Sequence, residues 1–297
     1  MRMIFLFIDG FGIGDRDSSK NPVFAASTPN LDYIFRNHLV IPTDATLGVE
    51  GLPQSATGQT AIFTGVNASR ILGRHLHGQP TETLKKIIYE NNLFKELLKM
   101  GVKVTNSNVY REEYLKKMID DRERRYRPSV TSVMTLSSTL GFRTVNDYKE
   151  GKGVYHDITG KIIKESGYDV DLITPVEAAE RLFGISRGYD FTLYEHFMTD
   201  IIGHLMDMPL AVAEIELLDN FLGGLLKLVD LKEDIIIITS DHGNIEDISV
   251  KTHTYNRVPT IIMGNIPDKA MLKIESLTDI MPAVIEIFKE SNNGQKS

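Results

Sequence analysis

Residues 3–8 (MIFLFI) and 234–240 (DIIIITS) are short, continuous apolar runs bounded by polar residues. A strand covered on both faces of a parallel sheet reads this way. Residues 189–197, 101–108 and 258–264 are three further strand candidates. Between these runs the spacing of apolar residues becomes helical. Residues 82–100 carry a helical pattern that stops at Gly101, residues 209–229 open on Pro209 and are amphipathic, and residues 278–290 close the series. Strands alternating with helices predict an α/β sandwich.

Residues 111–186 break that rhythm. They are rich in charge, glycine and tyrosine, and no strong buried strand stands out. The pattern predicts a core of residues 1–110 and 187–297 with residues 111–186 as an inserted, cap-like lobe. The tail ESNNGQKS is polar and expected to fray. No internal repeat is visible.

At 297 residues the chain is long enough for one large domain or two modest ones, with a core of ordinary size. A net charge of −7 argues against a general nucleic-acid binder but not against an anionic substrate, because metal ions and a few arginines reverse the sign locally. With no cysteine, any metal must be held by His, Asp or Glu. The first apolar run is only six residues long, ends at Asp9 and Gly10, and has no small-residue cleavage site. It reads as a strand rather than a signal peptide. No apolar run reaches membrane-spanning length, so no membrane role and a cytoplasmic location are expected.

Candidate chemistry gathers where strands end. Asp9 follows the first run, Asp241 and His242 follow the DIIIITS run, and His253 precedes another. Ligands of parallel α/β sheets collect at the carboxyl ends of strands. Asp200 and His204 are spaced i, i+4, which puts both on one helix face. Any one of these is more often a turn residue, a cap or a structural histidine. Together, three Asp and three His suit two divalent ions, and Ser55 supplies a hydroxyl. Ser55, Thr57 and Thr60 surround Gly58 in LPQSATGQTAIFTG, at what reads as a helix start. A hydroxyl there can cap free N–H groups or attack a phosphate, and the stretch alone leaves both roles open for Ser55.

The segments FIDGFGIGD, AASTPNLD, QSATGQTAIFTG, TDIIGH, SDHGNIED and THTYNRVP occur in one order between residues 4 and 259. In this the chain resembles the alkaline phosphatase superfamily, and more closely the metalloenzyme branch of cofactor-independent phosphoglycerate mutase and phosphopentomutase. The resemblance covers the first and last thirds well and the middle poorly. It implies an alkaline-phosphatase-like three-layer sandwich with a mainly parallel sheet and a small inserted lobe. It also implies phosphoryl transfer to or from a small phosphorylated metabolite, using two Mn²⁺ or Zn²⁺ ions and a phosphoserine intermediate. One ion is assigned to Asp200, His204 and His253. The other is assigned to Asp9, Asp241 and His242, with Ser55 as ligand and nucleophile. Ser55 precedes Gly58 at the spacing of the mutase nucleophile, with Thr57 as the rival. The sulfatase pattern, Pro two positions and Arg four positions after the modified residue, is not met by Thr57 and Gln59.

Several residues keep two readings. Arg122, Arg125 and Arg127 in DDRERRYRPS either grip a second phosphate or carboxylate or form a solvated helix face. His156, beside Asp157, either reaches over the site or belongs to a turn. His75 and His77 alternate in GRHLHG but lack a further nearby ligand in sequence, so no metal site is expected there. Lys20 and Asn21 are given a positional role. Whether phosphate is released by water, as in a phosphatase or phosphodiesterase, or moved within one substrate is left open, as is the oligomeric state. The alternative to an enzyme is a non-catalytic metal-binding or regulatory protein on the same scaffold.

Overall fold

The computed structural model describes residues 1–119, 127–266 and 273–294. Six strands form the central sheet: β1 (Arg2–Ile8), β2 (Leu39–Thr43), β3 (Val104–Asn106), β6 (Phe191–His196), β7 (Asp234–Thr239) and β8 (Val258–Met263). Two others, β4 (Val109–Tyr110) and β5 (Arg143–Thr144), pair separately as a small parallel ribbon. The sheet order is β2-β8-β7-β1-β6-β3. The β7-β1-β6-β3 half is parallel, whereas β8 runs antiparallel to both β7 and β2.

β1 lies at the middle and explains the uninterrupted apolar run. Met3, Phe5 and Phe7 enter one core, and Ile4, Leu6 and Ile8 enter the other. Helices Ser55–Thr64, Leu93–Lys99, Val130–Ser137 and Ile280–Gly294 contribute to the first core. Helices Pro29–Asn37, Pro175–Ser186 and Met208–Leu226 contribute to the second. The result is the expected three-layer sandwich. Within residues 111–186, therefore, helices Val130–Ser137 and Pro175–Ser186 pack on its two faces. Among the described residues no helix is long and apolar enough to cross a membrane.

Three expectations change. The helix expected over 82–100 is two helices, Glu82–Glu90 and Leu93–Lys99. Asn92 divides them: its side chain accepts from Lys95 N and donates to Ile88 O and Ser137 Oγ, which caps one helix and ties off the other. The strand expected over 101–108 is only β3, three residues long. Strand β2 was not predicted at all; it is an edge strand with a mixed burial pattern and a proline, so its sequence lacks a strand signature.

Candidate metal centre and active site

The carboxyl ends of β1, β6 and β7 meet on one side of the sheet, and the first turn of helix Ser55–Thr64 faces them. Asp9 extends β1, with its N–H on His196 O at 2.8 Å. Gly10 follows at φ +67°, where a Cβ would come within 2.9 Å of Asp200, so the turn brings the two strand ends together only with glycine. All seven predicted residues, Asp9, Ser55, Asp200, His204, Asp241, His242 and His253, converge here.

They form two connected groups. In the deeper one, His242 Nε2 lies 3.0 Å from Ser55 Oγ, 3.3 Å from Asp9 Oδ1 and 3.6 Å from Asp241 Oδ2. Gln59 Nε2 donates to Asp9 Oδ2 at 3.3 Å and Asp241 Oδ2 at 3.2 Å, holding two like charges together. Asp9 Oδ1 is buried without a hydrogen-bond donor. Burial, then the neighbouring Asp241 and Asp200, push the Asp9 carboxyl well above its ordinary range. Asp200 also reaches this group, 4.0 Å from His242 Nδ1.

In the outer group, Asp200 Oδ1 is 3.3 Å from His253 Nε2 and 3.5 Å from His204 Nε2. His253 Nδ1 donates to Pro53 O at 2.7 Å, and His204 Nδ1 donates to Lys251 O at 2.8 Å. A carbonyl only accepts, so each Nδ1 carries a proton and each neutral ring offers a lone pair at Nε2. Those two lone pairs face each other across 3.2 Å. Such an arrangement fits a cation, with the backbone carbonyls setting the tautomers. Burial opposes a charge on His253, yet the Asp200 hydrogen bond and its charge raise the ring above its ordinary value. Burial likewise opposes the Asp200 carboxylate, but His253, His242 and Asn244 hold it well below the usual range. Two sets of donor atoms lie close enough to share an ion, Asp200 with His204 and His253, and Asp9 with Asp200 and His242, so Asp200 reaches both groups.

Ser55 is not the helix cap. Gln54 occupies that position, and Ser55 begins the helix with its hydroxyl turned to His242 instead of the backbone. Thr57 is fully buried, donating to Gln54 O and accepting from Leu76 N, each at 3.2 Å. Its hydroxyl is committed to the backbone.

A cavity of about 480 Å³ opens over Asp9, Ser55 and Asp200. His156 lines it, stacked on Phe197 at 3.9 Å and pushed down to about 3 by burial, hence neutral. Asp157 forms the turn, accepting from Gly160 N and Ile162 N. Arg122 and Arg125 lie outside the described residues. Arg127 is exposed and does not line the cavity, whereas Arg111 does. Lys20 and Asn21 serve local structure: Lys20 pairs with Asp15, and Asn21 caps helix Pro22–Ala25.

Gln59, Arg111 and Glu195 line the cavity without having been singled out for chemistry, and His77, set aside as a metal ligand, lines it too. Gln59 was legible in principle, four residues after Ser55 on one helix face. Glu195 was hidden in a strand. It is 3 % exposed, accepts from Thr131 Oγ1 at 2.6 Å, and is pushed up to about 7 by burial.

Carboxylates and imidazoles gathered at the strand ends of a three-layer sandwich, beside a serine at a helix start, make a donor set suited to divalent metal ions. The model of the Metalloenzyme superfamily matches residues 1–292. The chain belongs to that superfamily, in the metalloenzyme branch of the alkaline phosphatase superfamily. Among curated relatives, the 2,3-bisphosphoglycerate-independent phosphoglycerate mutase of Paracoccus denitrificans is 30% identical over 134 residues, 42% of this chain and 26% of the relative. The chain thus spans about a quarter of the length of the curated relatives it matches. Among solved structures, a Pyrococcus horikoshii protein gives a TM-score of 0.59 at 16% identity, covering 97% of this chain and 96% of the other. Alkaline phosphatase from the Antarctic bacterium TAB5 gives 0.58 at 15% identity, covering 97% and 98%. At these identities the likeness is one of fold, which is alkaline-phosphatase-like.

Proposed function

We propose that the protein is a cytoplasmic phosphatase that hydrolyses a small phosphate ester through a phosphoserine on Ser55. The observation that carries this is Ser55 Oγ at a helix start, 3.0 Å from His242 Nε2 and flanked by both donor groups. Asp200, His204 and His253 would hold one divalent ion, and Asp9, Asp241, His242 and Ser55 a second, with Mn²⁺ and Zn²⁺ both suited to the donors. Bound ions supply charge neutralisation of the phosphoryl oxygens and a lower hydroxyl pKa. The chain's own residues do the rest. The helix start presents N–H groups to an anion, Gln59 keeps Asp9 and Asp241 in place, and Ser55 attacks in line.

The substrate's organic part faces Arg111 and the aromatic wall. Arg111 lines the cavity, and its Nη1 donates to Ser166 Oγ at 2.8 Å. A guanidinium held this way offers a donor to a second oxyanion. The lobe around Tyr155 and His156 serves as a fixed wall: Tyr194 Oη and His196 Nδ1 donate to their carbonyls, each at 2.8 Å. A fixed wall supports hydrolysis, since a mutase must close over its intermediate. The mutase relative favours the second reading, phosphate migration within one substrate.

Turnover of p-nitrophenyl phosphate with added Mn²⁺ or Zn²⁺ is the first test. Ser55→Ala should lower kcat by about 10⁴-fold or more while the ions stay bound. Full activity in that variant excludes Ser55 as nucleophile, and metal binding without any turnover by the unmodified protein favours a non-catalytic scaffold. A ³¹P readout on phosphorylated metabolites separates release of phosphate from migration.

A further inference from the structure

His77 lies on the loop that follows helix Ala68–Leu72, and that loop is tied to the nucleophile's own turn. Ala56 N donates to Leu76 O at 3.1 Å, and Leu76 N donates to Thr57 Oγ1 at 3.2 Å. One backbone bond and one bond from a backbone N–H to a side-chain hydroxyl, both to the residues after Ser55, therefore fix where His77 begins. Its neighbour His75 is fully committed elsewhere, with Nδ1 on Ser69 Oγ at 3.1 Å and Nε2 on Val49 O at 3.2 Å. The His77 ring differs: it lines the same cavity as Ser55, is exposed, and has no hydrogen-bond partner among the described residues. Its centroid stands 6.4 Å from that of His253, which puts it beside the outer donor group. An imidazole carries at least one N–H donor in either protonation state.

We propose that His77 is a catalytic residue whose ring N–H hydrogen-bonds the leaving-group oxygen as the ester bond breaks. This rests on the phosphatase reading. Ser55 loses its proton to solvent, its oxygen forms the new bond to phosphorus, and the bond from phosphorus to the ester oxygen breaks. The departing oxygen keeps that electron pair, accepts the His77 hydrogen bond, and takes a proton from solvent water. Water then attacks the phosphoserine, phosphate leaves, and the Ser55 oxygen regains a proton from solvent. A donor aimed at developing negative charge contributes about 10²-fold in rate. Its contribution is largest where the leaving oxygen is most basic.

The test compares kcat/KM for ethyl phosphate, a poor leaving group, with p-nitrophenyl phosphate, a good one. Wild type, His77→Phe and His77→Gln are measured with bound metal determined by plasma mass spectrometry. The expected result is an ethyl-to-nitrophenyl ratio about 30- to 100-fold lower in His77→Phe and partly restored by the amide donor of His77→Gln, with metal content unchanged. An unchanged ratio overturns the proposal, whatever the absolute rates. Loss of metal in His77→Phe also overturns it, by making His77 a ligand. A wild-type enzyme inactive on every phosphate ester sinks the phosphatase reading itself, a failure distinct from the other two.

Discussion

The two donor groups are built by opposite means. In the outer group, backbone carbonyls of Pro53 and Lys251 orient the two imidazoles, and the His204 side chain is 31% exposed. In the deeper group, side chains orient one another, and Asp241 and His242 are fully buried. The outer group is a preset clamp that solvent can reach. The deeper group is part of the core, and it concentrates carboxylates that repel each other when no cation is present. If both groups hold ions as proposed, the outer ion should exchange with solvent more readily than the deeper one.

Removing divalent ions tests this contrast most strongly. At a free ion concentration a thousand times Kd, each bound ion stabilises the folded state by about 4 kcal/mol, so chelation should lower the unfolding midpoint markedly. His204→Asn should remove only the outer increment, and Asp241→Asn should remove the deeper one while making the metal-free protein more stable, because a like charge beside Asp9 is gone. Equal behaviour of the two variants under chelator would erase the distinction.

Glu195 sharpens it through pH. Below 4.5 the group is protonated in both the folded and unfolded chain and costs nothing. As pH rises toward about 7, the unfolded chain ionises and the buried carboxyl does not, so stability falls. That interval corresponds to about 3 kcal/mol in the metal-free protein. Glu195→Gln should remove this part of the decline in urea unfolding measured from pH 4.5 to 8. An identical pH profile in both proteins would show that the carboxyl ionises freely.

Packing gives the smallest effect. A Cβ on Gly58 would fall 2.8 Å from Asp241 O and 2.9 Å from Asp241 Cβ. Gly58→Ala should cost about 2 kcal/mol in urea unfolding and shift the deeper ion's affinity more than the outer one's. A Gly58→Ala protein as stable as wild type would mean that the deeper group is not packed as core.

Much of this was legible in the chain. The central strands announced themselves because burial on both faces demands an unbroken apolar run, as at residues 3–8 and 234–240. Six of the seven candidate site residues were readable because each follows or precedes such a run or shares a helix face, and Ser55 because it stands beside Gly58 at a helix start. What the sequence could not settle was set by contacts distant along the chain. Strand β2 gains its place by pairing with β8, and the break at Asn92 depends on Ser137. Ser55 faces His242 across 187 residues, so its hydroxyl is drawn away from capping. Glu195 looked like one polar residue in a strand until burial among acids raised its carboxyl. Arg111 and His77 share one cavity only because the tertiary fold brings their two segments to it. Local pattern follows from burial and hydrogen bonding along the backbone; which side chains share a charge environment is decided only when the layers pack.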